Sequence, residues 1–254
     1  MSPSFSGKTV LITGASGTVG RACLETFLEA GARVMLTDRT APPAQMTAHA
    51  DVHFQAADVT DREAVAAVFE AAVQRFGRID AAVLAAGVEG VVAPVEEISE
   101  ADIDAALAVN VKGSLFWMQA LLPHMKANGA GSVVALSSIS GVVGSASLAA
   151  YTITKHAVIG LVRAAALESG RHGVRINAVC PGPIDSEMMR RLDKALSDRD
   201  PTRAAGQADA AKSLPLQRYV TAGEVARMVA FLCSDDAGSC HGGTYMVDGG
   251  FTAR

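Results

Sequence analysis

Six runs of the chain are apolar without a regular polar face, and this feature most restricts the fold. They are TVLIT (9–13), RVMLTD (33–38), VHFQAAD (52–58), AAVLAAG (81–87), GSVVALSS (131–138) and VRINAVCPG (174–182). A strand with one wet face alternates polar and apolar residues, whereas a strand buried on both faces does not. Segments of helical periodicity lie between these runs: VGRACLETFLEAG (19–31), TDREAVAAVFEAAVQRFG (60–77), SEADIDAALAVNVKGSLFWMQALLPHMK (99–126) and SLAAYTITKHAVIGLVRAAALESG (147–170). A capped helix over 221–234 and a last strand, TYMVD (244–248), close the pattern. The alternation predicts an α/β fold, a doubly wound parallel sheet between two helical layers, as one domain over 1–254. Its ligand is expected across the carboxyl ends of the strands.

Three segments depart from regularity. TAPPAQMTAHA (40–50) is too broken by proline for a good helix, the long segment 99–126 is interrupted near Asn110 to Gly113, and 186–218 is charged and irregular. Hydrophobic residues make up 50% of the chain and charged ones 19%, which excludes a disordered chain. A net charge of −4 gives no basic footprint, so no nucleic-acid partner is expected. No stretch reaches the ~18 uninterrupted apolar residues of a spanning helix, and no basic-then-apolar leader opens the chain. The expectation is a soluble, cytoplasmic protein without a membrane partner. Cys23, Cys180, Cys233 and Cys240 read as buried small hydrophobes rather than disulfides. Cys233, Cys240 and His241 lack the second ligand pair of a metal site, so no metal is expected.

TGASGTVG (13–20) follows the first strand and opens the first helix, the setting in which helix N–H groups face a pyrophosphate. Gly14 permits a sharp exit from the strand, Gly17 a conformation denied to other residues, and Gly20 a close approach of the helix. Asp38 closes the second strand, where a carboxylate bonds adenosine ribose hydroxyls and repels a 2′-phosphate. With no Lys or Arg within 14–20, NAD is the expected cofactor, although the adjacent Arg39 argues for NADP. Asp58 is a candidate for the adenine edge or a helix cap for the segment at Thr60.

SSISGVVGSASLAAYTITK (137–155) carries the chemistry. Tyr151 and Lys155, four residues apart, share a helix face, and Ser138 ends a strand 13 residues upstream of Tyr151. A nearby ammonium and a bound nicotinamide cation would favour the phenolate, so that Tyr151 exchanges a proton with a substrate oxygen held by Ser138.

Across essentially its whole length the chain resembles the classical short-chain dehydrogenase/reductase family, whose fold is a Rossmann-type sheet. YTITK carries Tyr151 and Lys155 of the family's Y-x-x-x-K, Ser138 matches its serine, and Asn110 in LAVNVKG its asparagine. The resemblance implies that Tyr151 is the acid/base and that Ser138 holds the substrate oxygen. It implies further that Lys155 holds the nicotinamide ribose and tunes Tyr151. Asn110 would anchor a water in a proton relay, with a helix irregularity freeing a backbone carbonyl for it. CPGPIDSEM (180–188) resembles the motif beside the nicotinamide, with Ile184 on the carboxamide and Ser186 for the usual threonine, and MVDGG (246–250) the C-terminal signature. The implied cofactor site comprises Gly14, Ser16, Gly17, Thr18, Val19, Asp38, Asp58, Val59, Ala86, Gly87, Tyr151, Lys155, Pro181, Gly182, Ile184 and Ser186. Residues 186–218 would be a mobile substrate lid or a surface helical insertion, and the assembly a homotetramer.

Two departures stand out. Thr18 occupies the middle glycine of the family's T-G-x-x-x-G-x-G, giving a spacing like that of the extended branch. Leu84-Ala85-Ala86-Gly87 replaces N-N-A-G, which predicts a less braced loop. The expected function is NAD-dependent interconversion of a secondary alcohol and ketone. The pocket would comprise Ser138–Gly144, Leu148, Val88–Val92 and the lid, with Glu89 its one charge. That lining fits a mid-sized cyclic or hydrophobic alcohol rather than a polyanion. The glycine spacing leaves an epimerase or dehydratase as an alternative, and the missing asparagines a non-catalytic dinucleotide-sensing protein.

Overall fold

The computed structural model describes residues 3–200, 211–212 and 214–253. The strands are β1 (Thr9–Thr13), β2 (Arg33–Asp38), β3 (Val52–Ala56), β4 (Ala81–Leu84), β5 (Gly131–Leu136), β6 (Val174–Pro181) and β7 (Thr244–Val247). They form one sheet in the order β3-β2-β1-β4-β5-β6-β7, with every neighbouring pair parallel. The order reverses between β1 and β4, and there the connecting segments leave in opposite directions and open a crevice.

The helices are α1 (Thr18–Glu29), a single turn α2 (Ala44–Thr47), α3 (Arg62–Phe76), α4 (Glu100–Leu107), α5 (Gly113–Ala127), α6 (Ala149–Ser169), α7 (Glu187–Arg199) and α8 (Ala222–Cys233). Alternate residues of one strand feed two separate cores. Val10 and Ile12 of β1 pack with Leu24 and Phe27 of α1 and Val225 and Val229 of α8. Leu11, between them, packs with Val68 of α3, Trp117 and Leu121 of α5 and Val162 of α6. Both faces of each central strand are thus dry, which is why the strands read as unbroken apolar runs.

Caps fix where helices start. Asp61 accepts from the Glu63 and Ala64 N–H groups to open α3, and capping boxes Ser99–Asp102 and Thr221–Glu224 open α4 and α8. The long segment is interrupted as its sequence predicts: α4 and α5 are joined by a π-turn over Ala108–Lys112. Taken together, Glu100–Ala127 is long and apolar enough to cross a membrane by length and composition, at mean hydropathy 1.2. It lies over the sheet, with Trp117, Met118, Leu121 and Met125 buried in the core.

Several boundaries differ from the sequence reading. β3, β4 and β5 stop at Ala56, Leu84 and Leu136, because the next residues leave the sheet to line the crevice. Part of the segment read as irregular is the regular helix α7, and the lid expectation for 201–210 and 213 lies outside the described residues.

Gly14 and Gly20 are where backbone must meet backbone. Gly14 has φ +66°, and a Cβ on it would sit 2.6 Å from the Ala86 nitrogen; one on Gly20 would sit 2.2 Å from the Gly14 carbonyl oxygen. Gly17 is different: at φ −74° and ψ 162° it is ordinary extended backbone, so its expected special conformation is not adopted. Gly20→Ala is therefore expected to cost about 1–3 kcal/mol of stability, as overpacking against rigid backbone does. Urea denaturation of the variant measures this, and an unchanged midpoint would contradict the close approach.

Candidate active site

The strand ends enclose a cavity of about 850 Å³. Gly14, Ser16, Gly17, Thr18 and Val19 line it from the first loop, Asp38, Asp58 and Val59 from the ends of β2 and β3, and Ala86 and Gly87 from the end of β4. Ser138, Tyr151 and Lys155 line its floor, and Pro181, Gly182, Ile184 and Ser186 its far side. All the expected cofactor residues therefore meet in one space. Asn110 alone among the named residues does not line it, being buried behind Gly87.

The entrance of α1 fits an anionic group. Its cap residue Gly17 supplies no side-chain bond and no acid stands in the first turn, so the leading N–H groups have no side-chain partner. Thr13 braces the adjoining wall by accepting from Ala85 N (3.1 Å) and Ala86 N (3.2 Å). The loop lacking the two asparagines is thus held from β1, which corrects the expectation of a slack loop. At the other end, Asp38 accepts from Ser16 N (3.0 Å) and Arg39 N (2.7 Å). Asp58 accepts from both the backbone and hydroxyl of Thr60 at 2.8 Å, and these bonds hold its carboxyl below the usual range. Asp61 caps α3, so Asp58 stays on the cavity wall, 4.0 Å from Arg39.

On the floor, β5 ends and Ser138 begins a short turn, its hydroxyl accepting from Ser140 N at 3.2 Å. Tyr151 and Ser138 both line the cavity, and the Ser138 side chain acts to lower the Tyr151 phenol. Lys155 lies one turn along α6, with Nζ 5.5 Å from the Tyr151 ring centroid and donating to the Leu136 carbonyl at 2.9 Å. Burial pushes the Tyr151 phenol up to about 12, against the lowering effect of the Ser138 side chain, and Glu89 and Cys180 add to the rise. Burial likewise pushes the Lys155 ammonium down to about 8. Without dinucleotide, burial is the dominant influence on Tyr151; the expectation of a phenolate counts a bound nicotinamide cation together with the Lys155 ammonium.

Asn110 ties three elements together. Its amide donates to the Val88 carbonyl (2.9 Å) and the Thr154 hydroxyl (2.9 Å), and its Oδ1 accepts from Val88 N (2.8 Å). The backbone carbonyl expected to stand free at the π-turn accepts from the Ser114 hydroxyl at 2.8 Å. A Cβ on Gly87 would lie 3.2 Å from Asn110 Oδ1 and 3.4 Å from Lys155 Nζ, so glycine lets these groups converge.

Beyond the floor the cavity is lined by the apolar Leu148, Met188, Met189, Leu192, Leu196 and Phe251 together with the charged Glu187, Arg190 and Arg191 of α7. Phe251 is presented by a turn in which Asp248 accepts from Gly250 N, Thr252 N and the Thr252 hydroxyl. Ser186 caps α7 through Met189 N. Glu89, expected as the one charge at this end, is not among the residues that line the cavity; Glu187, Arg190 and Arg191 are, and Arg191 pairs with Glu89 at 2.6 Å. His241 accepts from Ile176 N at Nδ1 and meets the Ala166 carbonyl at Nε2, so both ring nitrogens serve the fold. Cys233 is buried in the core beside α1.

A dinucleotide crevice joined to a Ser–Tyr–Lys floor defines a nicotinamide-dependent oxidoreductase. The family model described as Enoyl-(Acyl carrier protein) reductase matches residues 14–252. The levodione reductase of Leifsonia aquatica is 35% identical, covering 98% of this chain and 96% of its own. The cis-4-hydroxycyclohexanecarboxylate dehydrogenase of Sinomonas cyclohexanicum is 35% identical over 100% of both chains. The crystal structure of levodione reductase superposes with a TM-score of 0.92 at 35% identity, covering 98% of this chain and 99% of that one. Two further solved relatives, each covering 97% of this chain and 99% of their own with a TM-score of 0.88, differ in cofactor. A xylitol dehydrogenase, 31% identical, has NAD+ bound, and ElxO, 30% identical, has NADP bound. The chain belongs to the short-chain dehydrogenase/reductase family. It is an NAD(P)-dependent oxidoreductase acting on CH–OH and C=O groups.

Lys155 gives a pH signature. Its folded pKa of about 8 lies below the unfolded value of about 10.4, so between the two the unfolded chain binds more protons. Wild-type stability then rises with pH across that window. Lys155→Met lacks this rise, so its stability relative to wild type is expected to be greatest at pH 7 and to shrink towards pH 10. Thermal denaturation across the window checks it, and parallel profiles would contradict a depressed lysine.

Proposed function

We propose that the protein is an NAD-dependent dehydrogenase of mid-sized cyclic or hydrophobic secondary alcohols, working reversibly. The observation that carries this reading is Ser138, Tyr151 and Lys155 lining the same cavity as the glycine loop, with Lys155 Nζ 5.5 Å from the Tyr151 ring centroid. When bound, the dinucleotide supplies the acceptor or donor of hydride. Ser138 Oγ holds the substrate oxygen. Tyr151 Oη removes the carbinol proton in oxidation and returns it in reduction. Lys155 orients the nicotinamide ribose and adds a cation beside Tyr151, while Asn110 positions the floor by fixing Val88 against α6.

Asp38 supports NAD over NADP. Its carboxylate is anchored at the adenosine end by Ser16 N and Arg39 N, and it would repel a 2′-phosphate. The Arg39 guanidinium, which could welcome that phosphate, leans towards Asp58. The apolar wall of Leu148, Met189, Leu192 and Phe251 supports the substrate class, as does the ring-bearing substrate in the name of the Sinomonas relative. Residues 186–218 act as the substrate lid, of which 186–200, 211–212 and 214–218 are described, α7 among them.

The exposed Ile153 and Leu167 on α6, the latter 88% accessible, support a homotetramer. The four cysteines are all free, which fits a reducing cytoplasm. Tyr151→Phe is expected to lower kcat at least ~10²-fold with dinucleotide affinity within about twofold of wild type. Steady-state kinetics and calorimetric titration with NADH separate the two, and retained turnover would remove Tyr151 from the chemistry. Wild type is expected to favour NAD over NADP by about tenfold or more, some 1.4 kcal/mol. A preference for NADP would overturn the role given to Asp38.

A further inference from the structure

Between β5 and α6 the chain brings three serines to the cavity wall: Ser138, Ser140 and Ser145. The Ser138 hydroxyl accepts from Ser140 N, a bond that leaves its own proton uncommitted. Ser140 and Ser145 are joined hydroxyl to hydroxyl at 2.8 Å. Ser140 is only 5% exposed, and Ser145 is half-buried. Each hydroxyl carries one proton and two lone pairs. Two hydroxyls bonded to each other therefore spend one proton between them. The second proton has no protein acceptor among the described residues. The loop holds this pair in place. Leu148 N donates to the Ser145 carbonyl at 3.1 Å, and Ala93 N donates to the Ser147 carbonyl at 2.9 Å. Ser147 itself stands at φ +62°, a left-handed conformation that residues with a side chain rarely adopt. Strain of this kind persists only where the surroundings enforce it. The arginines at this end of the cavity are committed elsewhere. Arg190 pairs with Asp185 at 2.7 Å, and Arg191 pairs with Glu89 at 2.6 Å and Glu187 at 3.3 Å. The surplus donor here is thus a neutral hydroxyl.

We propose that the Ser140–Ser145 pair is a subsite for a second substrate oxygen. The substrate then carries, besides the reacting carbinol or carbonyl, a further uncharged hydroxyl or carbonyl, as in a diol, a hydroxyketone or a diketone. This rests on Ser138 holding the reacting oxygen, as above. Ser138 marks one oxygen, and the pair that begins two residues later marks the other. The surplus proton of the pair is donated to a carbonyl or hydroxyl oxygen, and a substrate hydroxyl can also donate to the free lone pairs. An alcohol with a methylene at that point shuts the donor away from water without giving it a partner, which weakens binding. A carboxylate would call for a charged fork, and both arginines already have acidic partners. Ser145 is the specificity-determining residue, and Ser140 orients it.

The test compares kcat/KM for NAD reduction in wild type, Ser140→Ala and Ser145→Ala. The alcohols are cyclohexanol, the position isomers of cyclohexanediol, a hydroxycyclohexanecarboxylate, and secondary butanol with its vicinal diol. Wild type is expected to favour at least one diol over the matching mono-alcohol by about tenfold, chiefly through KM. It is also expected to favour that diol over the carboxylate. Ser145→Ala should bring the diol-to-alcohol ratio to within about twofold of one, and Ser140→Ala should lower it part of the way. A pair that merely braces the loop would lower kcat/KM for diols and mono-alcohols in proportion. An unchanged ratio in Ser145→Ala therefore overturns the proposal. So does a wild type without preference for any diol, or one that prefers the carboxylate, which would assign the second group to an arginine. The two levels separate cleanly. No NAD reduction by wild type with any of these alcohols sinks the dehydrogenase reading and the subsite with it, whereas turnover without diol preference sinks only the subsite.

Discussion

The junction of β1 with the end of β4 supports everything else in the site. There the Thr13 hydroxyl accepts from two consecutive backbone N–H groups, Ala85 and Ala86, and Gly14 turns away at φ +66° with no side chain. Any Cβ at Gly14 would fall within 2.6–2.8 Å of the Ala85–Ala86 backbone. The contact fixes two loops at once. One carries the open N-terminus of α1, where an anion gains both N–H donors and the helix dipole. The other carries Gly87, whose bare backbone allows Asn110 and Lys155 to converge, and Val88, which Asn110 holds on both its N–H and C=O. The positions of the cofactor loop and the reactive floor therefore follow from one pair of hydrogen bonds and one glycine.

Electrostatics on the floor are set by dryness. A buried phenol resists losing its proton and a buried ammonium resists keeping one, so Tyr151 and Lys155 are both pushed towards their neutral forms. In the free protein Tyr151 is held as the phenol, and a cationic nicotinamide would shift it towards the phenolate. With Tyr151 as the proposed acid/base, such an arrangement would link proton abstraction to the presence of the oxidised cofactor.

The layered fold was legible because the central strands are dry on both faces, so Val10, Leu11 and Ile12 could all be apolar while serving two cores. Strand ends were less legible: Ala85 and Ala86 continue the apolar pattern of β4 yet leave the sheet to line the cavity. The Ser–Tyr–Lys set was visible because the helix spacing of Tyr151 and Lys155 is local. The Thr13 brace was not, since its partners are some seventy residues away and are backbone groups common to any sequence. The helix α7 hid for a related reason. Its apolar residues Met188, Met189, Leu192 and Leu196 are interspersed with charged ones, and Arg191 finds its partner Glu89 102 residues away. Burial, which pushes the Tyr151 phenol up, is a property of the folded packing and has no local signature.

The most direct test of this architecture is calorimetric titration of NADH into Thr13→Val and Thr13→Ser. Valine keeps the shape but removes the acceptor for both N–H groups, at about 1 kcal/mol or more per bond, so affinity is expected to fall roughly tenfold or more. Serine retains the hydroxyl and is expected to bind NADH within about threefold of wild type. Undiminished affinity in the valine variant would contradict the claim that the β1–β4 junction builds the dinucleotide site.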